Sequence, residues 1–173
     1  MFSIRRIIFG LAAVLMLPLT TEVSASEPLQ APTGQVLLTV SGEIFATNHG
    51  DAAQFDLDML RRLPRIEFRT TTLWTDGEKT FVGVPLSALL DHLGANSGQL
   101  RALAINDYSV TFDLADIGAD APIVAYLMDG QTMSRRDKGP LWVVYPYDSD
   151  AAYQSEVIYS RSIWQLDRLV VTR

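Results

Sequence analysis

The 173-residue chain contains no cysteine and only two histidines, His49 and His92, which lie far apart in the sequence. The absence of cysteine excludes thiol catalysis, disulfide bonds and thiolate metal ligation, and the two histidines fit neither a zinc-finger nor a paired-histidine helical spacing. With 20 acidic and 14 basic residues the formal net charge is −6, which argues against nucleic acid or anionic lipid as a general partner.

The N-terminus has the pattern of a cleavable secretory signal. Arg5 and Arg6 precede an apolar run over Ile7–Leu19, and the small residues of Val23–Ala25 provide a cleavage site. The apolar run is shorter than the roughly 20 residues that a membrane-spanning helix needs. We therefore predict a signal peptide over residues 1–25 and export to the periplasm by a Sec-type route.

The rest of the chain is predicted to form one domain. Residues 26–35 contain small residues and prolines and are predicted to be a linker, and the domain is predicted over residues 36–173. Its first strand is predicted at Val36–Val40. A short helix is predicted over Phe55–Leu63, where a proline stops it, and a β-rich stretch follows at Ile66–Thr72.

The clearest predicted helix begins at Pro85, a residue type favoured in the first helical turn, and ends at Gly94. Ser87, Asp91 and His92 lie on this helix, but no nucleophile elbow accompanies them, so we interpret them as a solvated face. The opposite face carries leucines at positions i, i+3, i+4 and i+7, the pattern of a core-packing stripe: Leu86, Leu89, Leu90 and Leu93.

The second half of the chain is predicted to be mostly strands, with Asp129-Gly130 as a hairpin turn. The sequence shows no internal repeat, and the order of elements predicts an α+β fold, mainly β, with mixed sheets and a few short helices. The predicted strands are Ala102–Ile105, Val110–Phe112, Ile123–Met128, Gln131–Met133, Leu141–Tyr145 and Ile163–Val171.

Two segments carry side chains suited to ligand binding. In Arg69–Gly77 a strand-like run delivers Trp74 into a polar turn, where the ring either stacks on a flat ligand or covers the core. In Ser134–Pro140 several cations precede the apolar Leu141–Tyr145, which indicates either an anion-binding rim or a solvated hairpin loop. No catalytic carboxylate pair and no glycine-rich phosphate loop can be recognised.

The order of segments resembles the sulfite-oxidase-like molybdopterin-binding domain family over nearly the whole predicted domain. This resemblance implies a compact, β-rich fold with mixed sheets that holds a pterin in a groove between loops. The segments that carry it, in the family's order, are Phe81–Leu90, Asn106–Phe112, Ile123–Gly130, Gly139–Pro146 and Ser162–Leu166.

The departures from the family are also informative. Catalytic members place a molybdenum-ligating cysteine in the segment that corresponds to Arg69–Trp74, where this chain has Thr70–Thr72. A neutral hydroxyl is a poor substitute for a soft thiolate ligand. Catalytic members also tend to have histidine before the Gly-x-Pro segment, where this chain has Lys138.

The resemblance therefore implies a small periplasmic member that binds a metal-free pterin and acts as a non-catalytic sensor or carrier. The alternative is a molybdopterin-dependent oxidoreductase in which a hydroxyl or water completes the metal sphere. That enzyme needs its cofactor loaded before export, which the Sec-type signal disfavours. We accordingly expect no catalytic and no metal-binding residues, and a pterin in preference to molybdopterin.

The chemistry of a pterin suggests roles for individual side chains. Its two flat faces stack on aromatic rings, for which Trp74 and Trp142 are the candidates, and its amino-pyrimidine edge donates to a carboxylate. Asp107 is the first candidate for that carboxylate and Asp137 the second. The residues assigned to the pterin site are Thr70, Trp74, Asp107, Tyr108, Arg136, Asp137, Lys138 and Trp142.

Three of these residues are expected to meet the carbonyl or the side-chain hydroxyls of the pterin, namely Tyr108, Arg136 and Lys138. For Tyr108 and Trp142 the alternative is burial in the core, because side chains alternate between the two faces of a strand. The resemblance further implies a protein partner, the periplasmic domain of a membrane-bound cyclic-di-GMP signalling enzyme. A carrier or scavenger of pterins fits the same composition.

Overall fold

The computed structural model describes residues 29–173, so the signal peptide predicted over residues 1–25 lies outside the described residues. Within residues 29–173 no helix is long and apolar enough to cross a membrane.

The described chain is a mixed α/β, β-rich structure with two five-stranded sheets and three short α-helices. The helices are α1 (Leu57–Arg62), α2 (Leu86–Leu93) and α3 (Glu156–Arg161). The strands are β1 (Leu38–Gly42), β2 (Ala53–Phe55), β3 (Ile66–Thr71), β4 (Glu78–Pro85), β5 (Gln99–Ala104), β6 (Ser109–Asp113), β7 (Ile123–Met128), β8 (Gln131–Thr132), β9 (Trp142–Val144) and β10 (Leu166–Thr172).

The first sheet has the order β2-β1-β10-β5-β6, and the second has the order β3-β4-β7-β8 with β9 also paired to β7. All pairs are antiparallel except β1 with β10, which run parallel. A parallel pair needs a crossover connection, and here the crossover comprises the whole second sheet together with β2, β5 and β6 of the first sheet. The first and last strands of the described chain therefore meet at the centre of the first sheet.

The chain between α3 and β10 joins the two sheets. Ile163 accepts a backbone hydrogen bond from Val143 of β9 at 2.9 Å, and Trp164 forms an isolated bridge with Trp142. Leu166 then donates to the Leu141 carbonyl at 2.9 Å before it enters the first sheet. This junction segment, residues 162–166, is held by the second sheet at one end and belongs to the first sheet at the other.

Several elements confirm the sequence predictions. Strand β7 has the predicted bounds, and the turn after it has positive φ at both Asp129 (50°) and Gly130 (76°), as a two-residue hairpin turn of the primed type requires. The leucines of α2 are all buried, and Gly94 ends the helix in the left-handed conformation with φ of 73°. The helix begins at Leu86, one residue later than predicted, because Pro85 is the last residue of β4 and the N-cap of α2 rather than its first helical residue.

The sequence patterns missed β4, β2 and α3. Strand β4 lacks the alternation expected of a half-exposed strand, because its last five residues, Phe81–Pro85, are all buried between β3 and β7. Strand β2 has only three residues. Helix α3 buries none of its side chains fully, so it has no strong apolar stripe to reveal it.

Asp56 connects the N-terminal arm of the described chain to α1. Its Oδ1 accepts the Met59 backbone N–H at 2.8 Å as the helix N-cap, and its Oδ2 accepts those of Thr33 at 2.9 Å and Gly34 at 2.8 Å. These donors favour the charged form, and the hydrogen bond from Met59 contributes most to lowering the pKa of this buried carboxyl. Residues 33 and 34, in the predicted linker, are therefore tied to the domain.

We predict that Asp56→Asn lowers the free energy of unfolding by about 1–3 kcal/mol near neutral pH, because the amide replaces an acceptor of two backbone N–H groups with a donor. The pKa of Asp56 is lowered in the folded chain, so its stabilisation is present above the ordinary value of 3.8 and is lost as pH falls through the folded value. Urea unfolding at pH 7 and below pH 4 measures both effects.

The matched control for that substitution is Asp58→Asn, two residues further along. The Asp58 side chain is 73% exposed and forms a 3.7 Å ion pair with Arg61, so its loss should change the free energy of unfolding by no more than about 0.5 kcal/mol. Equal losses for the two variants would contradict the role assigned to Asp56.

Candidate functional site

A cleft of about 400 Å³ opens where the junction segment connects the two sheets. The second sheet contributes the turn after β3, the first sheet contributes the tip of the β5–β6 hairpin, and the end of α3 completes the wall. The lining residues are Trp74, Ala104, Asn106, Tyr108, Tyr159, Ser160, Ser162, Ile163 and Trp164.

An aromatic cluster surrounds Trp74 in this cleft. Four rings approach it edge to face, with centroid separations between 5.6 Å for Trp164 and 6.2 Å for Tyr147. The others are Trp142 at 5.9 Å and Tyr159 at 6.0 Å. Each such pair contributes about 0.5–1.5 kcal/mol beyond the burial of its area. The cluster contains all three tryptophans of the chain, so tryptophan fluorescence reports on this site alone.

The threonines that precede Trp74 are used by the fold. Thr70 is fully buried, and its hydroxyl accepts the backbone N–H of Asp148 at 3.1 Å. Asp148 in turn accepts from the backbone and the hydroxyl of Thr71, and the backbone hydrogen bond contributes most to lowering its carboxyl pKa. The Thr72 hydroxyl accepts the Trp74 backbone N–H at 3.0 Å. These contacts fix the turn that presents Trp74.

The cationic loop, residues 134–139, packs against the junction segment. Gln165 donates its backbone N–H to the Lys138 carbonyl at 2.9 Å and its side-chain amide to the Arg135 carbonyl. Lys138 adopts the left-handed conformation with φ of 69° and is half-buried. Its Nζ lies 5.0 Å from the ring centre of Trp164 and 5.8 Å from that of Trp142, within cation–π range. Lys138 therefore adjoins a wall of the cleft.

The β5–β6 hairpin tip presents Asn106 and Tyr108 to the cleft and Asp107 to a different partner. Asp107 has φ of 64° and accepts from Arg168 Nη2 at 2.7 Å, a hydrogen bond that raises the pKa of the guanidinium. Arg168 also donates to the Ala104 carbonyl at 3.2 Å. The Asn106 Oδ1 accepts the Tyr108 backbone N–H at 3.2 Å, and this hydrogen bond does not use the Asn106 amide N–H donors.

The structure brings together some of the residues that the sequence assigned to one site. Trp74 and Tyr108 line the cleft, Tyr108 is 54% exposed, and Lys138 stacks on the lining residue Trp164. Trp142 is fully buried behind Trp74, with its Nε1 donating to the Ser162 carbonyl at 3.2 Å. Trp142 is therefore a core residue, which was the alternative to a ligand-stacking role, and it packs behind the wall of the cleft.

The remaining assigned residues do not line the cleft. The Thr70 hydroxyl accepts the Asp148 backbone N–H, and Asp107 forms an ion pair with Arg168. Asp137 accepts the hydroxyl of Ser134 at 2.8 Å inside the cationic loop. Arg136 is exposed in the same loop.

Sequence reasoning missed Trp164, Tyr159 and Asn106. Trp164 lies in the segment Ser162–Leu166, which carries part of the family resemblance, and a tryptophan in such a segment could have been singled out. Tyr159 gave no signal, because α3 was not predicted. The sequence pattern did not single out Asn106, because the role at the pterin edge was assigned to the carboxylate of the neighbouring Asp107.

The interior behind the cleft is rich in tyrosine. Burial raises the pKa of Tyr145 to about 12 and that of Tyr147 further, so both stay neutral at physiological pH. The Tyr147 hydroxyl donates to or accepts from the Ser162 hydroxyl at 2.7 Å. No Asp or Glu is among the residues that line the cleft, and residues 29–173 contain no group of three or more side chains arranged to hold a metal ion.

No model of a known protein family matches the chain. A search of curated proteins also gives no match.

We predict that Thr70→Val lowers the free energy of unfolding by about 1–3 kcal/mol, because it leaves the Asp148 backbone N–H without its acceptor. The same substitution at the next residue, Thr71→Val, removes a solvent-exposed hydrogen bond to the Asp148 carboxylate and leaves no buried group unpaired, so it should cost less, about 0.5–1 kcal/mol. Thermal or urea unfolding of the two variants compares them directly. A larger loss for Thr71→Val would contradict this account of the turn.

Proposed function

We propose that this protein is an exported pterin-binding protein with a sulfite-oxidase-like fold, which binds a metal-free pterin in the cleft and acts as a sensor or carrier rather than an enzyme. The observation that carries this proposal is the aromatic wall of the cleft. Trp74, Trp164, Tyr108 and Tyr159 all line one space of about 400 Å³.

The size and the chemistry of this space support a small, flat ligand. Sites for small molecules are typically clefts of about 300–1,000 Å³, mainly apolar, with a few polar groups that fix orientation. A bicyclic pterin offers flat faces to indole and phenol rings. The amide of Asn106 and the hydroxyl of Tyr108 can donate to its ring carbonyl.

The amino edge of the pterin requires an acceptor near the cleft. Asp107 lies between the lining residues Asn106 and Tyr108, and its side chain is 81% exposed despite the contact with Arg168. Asp107 does not itself line the cleft; one of its carboxylate oxygens accepts from Arg168, and the other has no hydrogen-bond partner within residues 29–173. Asp107 therefore remains the carboxylate that we assign to this edge.

The threonines at the position of the catalytic cysteine support binding over oxo-transfer chemistry. The Thr70 hydroxyl is buried and bonded to backbone, and Thr72 pairs with Thr75 at 2.8 Å. Neutral hydroxyls already engaged in this way are weak ligands for molybdenum. The proposal therefore assigns this segment to the presentation of Trp74.

The proposal extends to a protein partner, the periplasmic domain of a membrane-bound cyclic-di-GMP signalling enzyme. Its support is the exposed apolar surface close to the lining residues. Leu73, next to Trp74, is 69% exposed, and Val157, one helical turn before the end of α3, is 58% exposed. Exposed apolar side chains around a ligand site fit a protein that transmits its ligand state to another.

We predict that protein isolated from the periplasm carries a pterin and no stoichiometric molybdenum, because no thiolate is present to anchor the metal. Denaturation should release a fluorescent pterin, and elemental analysis should find far less than one molybdenum per chain. About one molybdenum per chain, with electron transfer dependent on sulfite or a sulfoxide, would overturn the proposal in favour of the oxidoreductase.

We predict that Trp74→Ala weakens pterin binding by about tenfold or more, because it removes a stacking surface from the cleft. Trp74→Phe should recover part of the affinity. Calorimetric titration well below the thermal midpoint of each variant separates the loss of contact from the loss of folded protein. Phe45→Ala, which removes an aromatic ring that is 87% exposed and does not line the cleft, is the matched control. Unchanged affinity in Trp74→Ala with a much lower midpoint would assign Trp74 to the core alone.

A further inference from the structure

The cationic loop differs in one respect from the other basic residues of the protein. Elsewhere most cations have a carboxylate partner within 4 Å, such as Arg61 with Asp58 or Arg161 with Asp116. Within residues 29–173 no such partner lies close to Arg135, Arg136 or Lys138. The loop thus holds three cations and one carboxylate, Asp137, and none of the three cations forms an ion pair within residues 29–173.

Lys138 brings this positive charge to the wall of the cleft. Its ammonium group stacks on Trp164, a lining residue, and the side chain is half-buried. Hydrogen bonds from Gln165 to the carbonyls of Lys138 and Arg135 hold the loop against the junction segment. The loop backbone and the Lys138 side chain are therefore held beside the junction segment, whereas Arg135 and Arg136 are exposed.

The other groups at the cleft also favour negative charge in the ligand. The Asn106 side-chain amide is a donor, and no Asp or Glu is among the residues that line the cleft. The only carboxylate inside the cationic loop, Asp137, is engaged by the hydroxyl of Ser134. An anionic oxygen group at the rim would meet Lys138 with no competing acid in the cleft lining.

We propose that the ligand of the cleft is an anion, a flat heteroaromatic ring that carries a carboxylate or phosphate group, and that Lys138 recognises this group. This inference rests on the proposed function and adds to it the charge of the ligand and the residue that selects for it. Arg135 and Arg136 reinforce the local potential without contacting the ring. A neutral pterin with the same ring system binds more weakly.

Calorimetric titration of the purified protein with matched probes tests this inference. The probes are 6-hydroxymethylpterin, which is neutral, pterin-6-carboxylate, and the phosphate ester of 6-hydroxymethylpterin. At least one of the two anions should bind about tenfold more tightly than the neutral probe, because a hydrogen bond to a charged group is stronger than one between neutral groups. A gain for the carboxylate, for the phosphate or for both identifies the group that is recognised.

Variants of Lys138 assign the effect to this residue. Lys138→Gln keeps a long side chain at the left-handed position and should remove most of the preference for the anion, with little change for the neutral probe. Lys138→Arg should retain the preference. Arg61→Gln removes the same unit of charge from α1, which does not line the cleft, and should leave the preference intact.

The outcomes separate this inference from the proposed function. Equal affinity for neutral and anionic probes, or a preference that survives in Lys138→Gln, overturns the inference and leaves pterin binding standing. Failure of every probe to bind overturns both. If Lys138→Gln unfolds, Lys138→Met takes its place in the titration, and an anion preference that survives in Lys138→Met overturns the inference.

Discussion

The pairing of the junction segment with the second sheet is the constraint on which the rest of the structure depends. Backbone hydrogen bonds from Val143 to Ile163 and from Leu166 to Leu141 hold residues 162–166 before they continue into β10, at the centre of the first sheet. These contacts fix the relative position of the two sheets. They also leave Trp164 at the border between the sheets, where it is 37% exposed.

The cleft follows from this arrangement, because each sheet contributes one edge of it. The second sheet supplies Trp74 through a turn that is fixed by buried Thr70, and the first supplies Tyr108 through a hairpin tip that is fixed by Arg168. Trp142 packs behind Trp74 and is fully buried. The site is thus built on backbone contacts between distant segments, which gives a preorganised aromatic surface for a flat ligand.

The charged side chains close to the cleft also affect which ligand it can bind. Asp107 and Asp137 each have one carboxylate oxygen engaged, by Arg168 and by Ser134, whereas within residues 29–173 no carboxylate lies within 4 Å of a cationic nitrogen of the loop. An acidic protein would be expected to repel an anionic ligand at long range, and a local cluster of cations offsets this only over about the Debye length of 8–10 Å. Recognition of an anion would therefore depend on close contact at Lys138, not on steering from a distance.

The sequence by itself determined the elements whose signals are local. The leucine stripe of α2, its terminal Gly94 and the Asp129-Gly130 hairpin turn were predicted because periodicity and backbone preference act within a few residues. The β-rich mixed fold and the place of Trp74 at a turn were predictable in the same way. Only the tertiary structure decided which residues share a cleft. Trp164 and Tyr159 reach Trp74 across more than 80 positions, and Asp107 turns to Arg168, because long-range pairing and competing partners leave no local pattern in the sequence.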